Sequence, residues 1–356
     1  MTEQERLLSL VDQFAGKRVL VLGDMVADEY IYGAPMRISR EAPVLVLRWS
    51  GSSLAPGGAL NPAVNARTLG AEVFLAGVIG DDEPGRRLRA RLAELGVSME
   101  GLLVEPGRPT STKTRALAGD TQLRQQQIVR IDQIDTSELE STTRQGIITY
   151  LAETIPQVDA LIISDYENGV INPHVLEEAL PLARALGKTV VADSHGDLAR
   201  FQGVTALTPN QPEAEATLGW EITDAASLDR AGARLLELTG AEAVLITRGS
   251  EGVSLFTQDG APFHLPASTR PEIADPTGAG DTVAATFTLA VAATPRERAT
   301  RFRDAATLAN LAAGLVVRRI GCATNTPSEL AVAICARDGN RGAPQAPQME
   351  GVAYDG

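Results

Sequence analysis

Residues 275–281 read Asp-Pro-Thr-Gly-Ala-Gly-Asp and run directly into TVAATFTLAVAA, a stretch of small and apolar residues with helical character. Gly278-Ala279-Gly280 forms a glycine-rich turn at the start of that helix. Such a turn leaves several backbone N–H groups without carbonyl partners, and the helix dipole adds positive potential there. The place suits an anion, above all a phosphoryl group that gains charge as it is transferred. Asp281 falls in the first helical turn, where a carboxylate has two readings. It caps the helix, or it is a general base that takes the proton from an attacking hydroxyl. The local pattern does not separate these readings, and Gly-x-Gly spacing alone is a weak signal.

Two other nucleotide motifs fail. A P-loop needs G-x-x-x-x-G-K-[ST]. Gly187-Lys188-Thr189 is present, but Leu182 stands where the first glycine is required, and the tripeptide follows a helix and precedes a strand. A dinucleotide fingerprint should follow the first strand, yet Gly23-Asp24-Met25-Val26-Ala27 holds one glycine.

The elements that must position these residues are short and regular. A first helix is predicted over residues 3–14, then a buried strand over 18–22 (RVLVL) that ends at Gly23-Asp24. Apolar runs recur at 73–78, 160–163, 189–192, 206–208 and 243–246, with helical patterns at 85–95, 173–186 and 227–238 between them. Short buried strands alternating with helices predict an α/β fold whose mainly parallel sheet has helices on both faces. Ligands in such sheets sit at the carboxyl ends of the strands. Residues 30–49 and 113–131 break the rhythm with polar, alternating strand patterns, which predicts a small β-sheet lid (segments about 28–50 and 110–132). Residues 283–293 fit a buried helix. The expected division is one domain over 1–335 and a disordered tail over 336–356, rich in Gly, Pro and Gln.

The formal net charge of −13 disfavours a nucleic-acid or anionic-membrane surface. The N-terminal residues MTEQERLLSL are acidic and amphipathic rather than a signal peptide, and no apolar run approaches a membrane span. The expectation is a cytoplasmic protein with no nucleic-acid or membrane partner. Cys322 and Cys335 are expected to be reduced packing residues, and Trp49 and Trp220 packing residues rather than stacking platforms.

Two signatures in order resemble the ribokinase-like (PfkB) carbohydrate kinases over residues 18–330. The first is Pro56-Gly57-Gly58-Ala59-Leu60-Asn61, continuing through Asn65 to Leu69-Gly70; the second is the segment 275–281. Finer stretches are similar to the D-glycero-β-D-manno-heptose 7-phosphate kinase subfamily. They are Gly23-Asp24 with Asp28 and Tyr30, Arg37-Ile38-Ser39 with Glu41-Ala42-Pro43-Val44, Thr112-Lys113 with Arg115, Arg130 with Asp132, Ser164-Asp165-Tyr166 with Gly169, Thr208-Pro209-Asn210 with Glu213, and Thr247-Arg248.

The resemblance implies the ribokinase-like fold and transfer of the ATP γ-phosphoryl group to a sugar hydroxyl, in that subfamily O1 of the heptose 7-phosphate. It implies Asp281 as catalytic base, Gly278, Ala279 and Gly280 as the anion hole, and Asn210 with Glu213 as organisers of Mg²⁺ through water. Asp24, Gly57, Gly58, Asn61, Lys113 and Asp165 become sugar contacts. Thr247, Arg248, Gly249 and Thr277 go with the nucleotide phosphates, and Asn310 and Ala313 with the adenine. ATP and Mg²⁺ are the implied cofactors, with a monovalent cation as an option, and a homodimer through the β-sheet lid is the implied assembly. Local alternatives stand beside several roles: Asp24 as a turn residue, Asn61 as a helix cap, Glu213 as a solvated helix residue, Arg248 as a surface charge. His195 reads as a polar loop residue.

The chain carries Asn168 and His195 where the subfamily carries lysine, and Arg40 where it carries proline. Arg37, Arg40, Lys113 and Arg115 are the cations at hand to replace the missing pair. No cytidylyltransferase segment follows, so the expectation is the kinase step alone. The rival readings are a kinase of another sugar or a nucleoside, and a non-catalytic sugar- or nucleotide-sensing protein.

Overall fold

Strand β1 (Arg18–Gly23) has side chains that alternate between two cores. Val19 and Val21 join one buried cluster, and Leu20 and Leu22 join the other. Both faces of the sheet are therefore covered by helices. The computed structural model describes residues 1–119, 126–258, 260–268, 275–319 and 321–340.

Helix α1 (Glu3–Asp12) precedes β1, and two long strands, β2 (Met25–Ile38) and β3 (Leu45–Gly58), follow it. Next come α2 (Leu60–Thr68), β4 (Glu72–Ile79), α3 (Glu83–Glu94) and β5 (Ser98–Val104). Strands β6 (Thr112–Ala118) and β7 (Gln126–Gln133) then lead into the α/β repeat. That repeat is α4 (Ser141–Thr154), β8 (Ala160–Asp165), α5 (Pro173–Ala185), β9 (Thr189–Ser194), β10 (Ala206–Leu207), α6 (Gln211–Leu218), α7 (Ala225–Thr239) and β11 (Ala243–Thr247). The chain continues through β12 (Val253–Thr257), β13 (Phe263–Leu265), α8 (Ala279–Ala293), α9 (Arg301–Val316) and α10 (Pro327–Asn340).

The large sheet has the order β13-β12-β11-β10-β9-β8-β1-β4-β5, parallel from β5 to β11 and antiparallel at β12 and β13. Helices α1, α2, α3, α8, α9 and α10 bury their apolar residues on one face, and α4, α5, α6 and α7 on the other. Helix α8 is buried on nearly every side, as its uniformly small and apolar sequence predicts. Chain order reverses around β1, which lies between β4 and β8. That switch point opens a crevice at the carboxyl ends of the strands.

The small sheet has the order β3-β2-β6-β7. It takes in residues 25–38 and 45–58, so it is longer than the expected 28–50 and includes Gly57 and Gly58. Trp49 stands on it 69% exposed, contrary to the packing role expected of it. Cys335 is also exposed rather than packed. A disordered tail was expected from residue 336, but α10 continues through Asn340; residues 341–356 lie outside the described residues. No described helix is long and apolar enough to cross a membrane.

Candidate active site

Asp281 sits in the first turn of α8, whose N-cap is Gly278 at φ +77° with no side-chain cap. Its carboxylate therefore does not cap the helix. It accepts hydrogen bonds from Asn61 Nδ2 (2.8 Å, on Oδ2) and from the Tyr166 hydroxyl (3.0 Å, on Oδ1). Asn61 does not cap α2 either, since that cap is Ala59. The Asn61 side-chain carbonyl accepts from Asn65 Nδ2 (2.9 Å), and the Asn65 carbonyl accepts from the Thr282 hydroxyl (3.0 Å). A buried relay thus joins α2 to α8 and orients the Asp281 carboxylate. Burial pushes the Asp281 carboxyl up to about 6, opposed by the Tyr166 hydrogen bond, the His195 charge and Asn61.

The glycine turn matches only part of the expected anion hole. The Ala279 N–H donates to the Pro276 carbonyl (3.1 Å). Among the described residues, the N–H groups of Gly278, Gly280 and Asp281 have no protein acceptor. Gly280 lines a cavity of about 150 Å³ together with Thr247, Gly249, Asn310 and Ala313, among others. Five of the expected nucleotide contacts therefore meet in one place. Thr277 does not line this cavity; its N–H bonds Asp275 Oδ1 (2.9 Å), and Asp275 Oδ2 accepts from Gly321 (2.9 Å). Arg248 turns away as well. It pairs with Glu251 at 2.5 Å and lines a different depression, beside the start of α7.

Asp24 lies beneath the site rather than facing the crevice. It is 1% exposed, and its carboxylate accepts the backbone N–H groups of Tyr166 (2.8 Å), Asn168 (3.1 Å) and Val170 (3.1 Å). These bonds fix the loop after β8, in which Glu167 holds a left-handed φ of +59°. Asp165 is equally buried and accepts from Glu167 N–H, the Ser194 hydroxyl and Arg200. The expected sugar contacts at Asp24 and Asp165 are thus occupied in holding this loop. Replacing Asp24 by Ala would strand three buried donors, each costing about 1 kcal/mol or more. Thermal denaturation should show a loss of about 3 kcal/mol; a change below ~0.5 kcal/mol would contradict the anchor.

Gly57 and Gly58 end β3 beside the start of β2, paired with Val26 and Met25. Gly58 has φ +54°, and a Cβ there would lie 2.4 Å from the Asp24 carbonyl oxygen. Gly57 lies against the Asp28 carboxylate, which pairs with Arg115 (2.5 Å). Lys113 Nζ stands 4.9 Å from the centre of the Tyr166 ring. Burial and then the neighbouring Arg130 hold Lys113 below the usual lysine range. Among the described residues no carboxylate pairs with it, whereas Arg130 is tied to Asp132 (2.6 Å). Arg37 is exposed near the far end of β2 and Arg40 in the turn that follows it.

Asn210 and Glu213 form a reciprocal capping box at the start of α6, so Glu213 is not a free solvated residue. Glu213 Oε1 also meets His195 Nδ1 at 2.5 Å, and the His195 ring packs edge-on against Tyr166 with centroids 4.5 Å apart. His195 is thus part of the site, not a plain loop residue. Its pKa is raised, chiefly by the bond to Glu213. Asp193, at the end of β9, is pushed up to about 7 by burial and then by the charges of Glu213 and Asp281. No group of three or more His, Cys, Asp or Glu with metal-binding geometry occurs among the described residues.

Tyr166, Asp193 and His195 were absent from the expected set of site residues. Tyr166 carried a signal in the stretch Ser164-Asp165-Tyr166 at the end of a buried strand, and His195 carried one as a departure from the subfamily's lysine; Asp193 carried none.

A family model described as pfkB family carbohydrate kinase matches residues 17–329. The chain belongs to this family. It is an ATP-dependent sugar kinase. Similar curated proteins are named bifunctional protein HldE. One from Desulfatibacillum aliphaticivorans is 42% identical over 321 residues, 90% of this chain and 63% of the relative. Another, from Caulobacter vibrioides, is 41% identical over 341 residues, 95% of this chain and 68% of the relative. The chain thus spans a little under two thirds of the first of these relatives. Among solved structures, Arabidopsis thaliana ribokinase complexed with ribose and ATP superposes with a TM-score of 0.69 at 19% identity, covering 90% of this chain and 99% of that one. Phosphofructokinase-2 from Escherichia coli in complex with potassium gives 0.71 at 16% identity, covering 91% and 99%. These likenesses bear out the ribokinase-like fold expected of this member of the pfkB family.

Proposed function

We propose that this kinase transfers the ATP γ-phosphoryl group to O1 of D-glycero-β-D-manno-heptose 7-phosphate, with Asp281 as the general base. The observation that carries the mechanism is the Asp281 carboxylate, held by Asn61 and Tyr166 beside the open amides of Gly278 and Gly280. A sugar hydroxyl placed against it loses its proton as it attacks, and the amides and helix dipole take up charge on the phosphoryl oxygens. Phosphoryl transfer asks mainly for such positioning and charge stabilisation.

The substrate reading rests on the subfamily stretches at 37–44 and 164–169 and on the cations Lys113, Arg115 and Arg130 of the small sheet. Arg130 and Arg115 crowd Lys113, which stands over the Tyr166 ring, and an anionic substrate relieves that repulsion. Lys113 takes the place of the lysines that Asn168 and His195 replace. Asn210 and Glu213 fit Mg²⁺ held through water. Asp193, Glu213 and Asp281 lie close enough to raise the Asp193 carboxyl, and a hydrated Mg²⁺ needs few direct protein ligands. When bound, Mg²⁺ neutralises charge on the phosphate oxygens. Pairing of two copies through the small sheet and a cytoplasmic setting belong to the same proposal. The exposed Met36, Ile38, Trp49, Ile128 and Ile131 on that sheet support the pairing.

An ADP-release panel of free sugars, sugar phosphates and nucleosides tests the substrate, with potassium as a further arm. Turnover highest on the heptose 7-phosphate is expected; preference for a free hexose or a nucleoside, or binding without ADP formation, contradicts it. The pH profile follows from Asp281. The base must be ionised, so kcat/KM should be level above about pH 7 and fall about tenfold per unit below about 6. A profile level down to pH 5 would remove Asp281 from the role.

A further inference from the structure

We propose that Tyr166 is the positioning residue for Asp281, its hydroxyl fixing the carboxylate's orientation and keeping it ionised for proton abstraction. The proposal rests on the kinase reading above and adds a residue to it.

The Tyr166 side chain is held from several directions. Its backbone N–H donates to Asp24 (2.8 Å), and the left-handed Glu167 follows it. Its ring meets His195 edge-on at 4.5 Å and carries the Lys113 ammonium 4.9 Å from its centre. The hydroxyl reaches Asp281 Oδ1 at 3.0 Å, while Asn61 holds Oδ2 at 2.8 Å. Two donors fix the carboxylate plane, and each oxygen keeps a lone pair for an incoming hydroxyl. Asp281 is 6% exposed, so water does little to stabilise its charge. Burial and the Asp281 charge raise the Tyr166 phenol well above its usual range, so it stays a donor throughout the working pH range.

The groups facing Asp281 act in opposite directions. Asp28 from β2, Asp193 from β9 and Cys322 from the segment after α9 have electrostatic interactions with it, and the negative charge of Asp28 disfavours ionisation. Tyr166, His195 and Asn61 favour ionisation, and among these the Tyr166 hydrogen bond is the largest influence. Removing that hydroxyl should therefore move the Asp281 titration upward.

The test is Tyr166→Phe, which keeps the ring between His195 and Lys113. In kcat/KM against pH, the midpoint of the acid limb should rise by about one unit. Activity then falls about tenfold near pH 5.5 and stays within about threefold of wild type near pH 8.5. A second readout needs no substrate. The folded Asp281 value near 6 lies above the unfolded carboxylate value. The stability this group contributes is therefore present at low pH and is lost as pH rises through the folded value. In Tyr166→Phe the loss continues further, so the melting temperatures of variant and wild type should diverge by about 2 °C between about pH 6 and 7. An unshifted acid limb, an equal loss of activity at every pH, or a melting difference independent of pH overturns the proposal. If the wild type phosphorylates nothing in the panel, the kinase reading fails separately, and the melting difference still decides whether Tyr166 holds the carboxylate.

Discussion

Asp281→Asn should lower kcat by about three orders of magnitude while sugar binding stays measurable. The fold has every reason to survive the change. Asparagine is isosteric, its carbonyl accepts from Asn61 Nδ2, and its amide donates to the Tyr166 hydroxyl, which both donates and accepts. The variant also removes a buried charge. A carboxyl moved from its usual range to about 6 is destabilising at neutral pH by about 3 kcal/mol. The variant should therefore melt at or above the wild-type temperature at pH 8, where the wild-type carboxylate is ionised. Lost turnover with kept or gained stability is the pattern of a group held for chemistry at a cost to the fold. Steady-state kinetics beside melting curves check both halves. Near-normal turnover would remove the base, and a collapsed fold would make Asp281 a structural residue.

Gly278→Ala should lower kcat about a hundredfold. Gly278 is the N-cap of α8 with φ +77°, a conformation that costs an alanine about 1–2 kcal/mol. A Cβ there would lie 2.5 Å from Asn61 Nδ2, the atom that holds Asp281 Oδ2. Asn61 must move, and a base displaced by about 1 Å loses on the order of 10² in rate. Gly280→Ala is the contrast. Its Cβ meets nothing within 4 Å and points into open space at the rim of the nucleotide cavity, so KM for ATP should rise more than kcat falls. Equal kcat losses in the two variants would contradict the role given to Asn61.

The sheet was legible in the sequence because its strands are buried on both faces, and runs such as RVLVL carry that directly. The start of α8 was legible for a similar reason, since glycines followed by small apolar residues leave few other structures open. The partners of Asp281 were not. Asn61 lies 220 residues away and Tyr166 lies 115 residues away, and local periodicity says nothing about contacts at that separation. The capping alternatives at Asn61 and Asp281 failed because the N-caps, Ala59 and Gly278, lie two and three residues before the side chains in question. The family resemblance implied a sugar contact at Asp24, yet three backbone donors from the β8 loop occupy its carboxylate. Arg248 follows a strand as expected, but Glu251, three residues on, draws it away from the nucleotide cavity. Trp49 was expected to pack and stands exposed, because it lies on a sheet that does not close over the core.

The central claim is tested most directly by ³¹P NMR of ATP and the heptose 7-phosphate incubated with wild type and with Asp281→Asn. The account predicts a new phosphate signal coupled to the anomeric carbon and ADP in equal amount with the wild type, and neither with the variant. A new signal at another carbon, or no product from this sugar while a different acceptor is phosphorylated, would contradict the substrate. Equal product from both proteins would contradict the base.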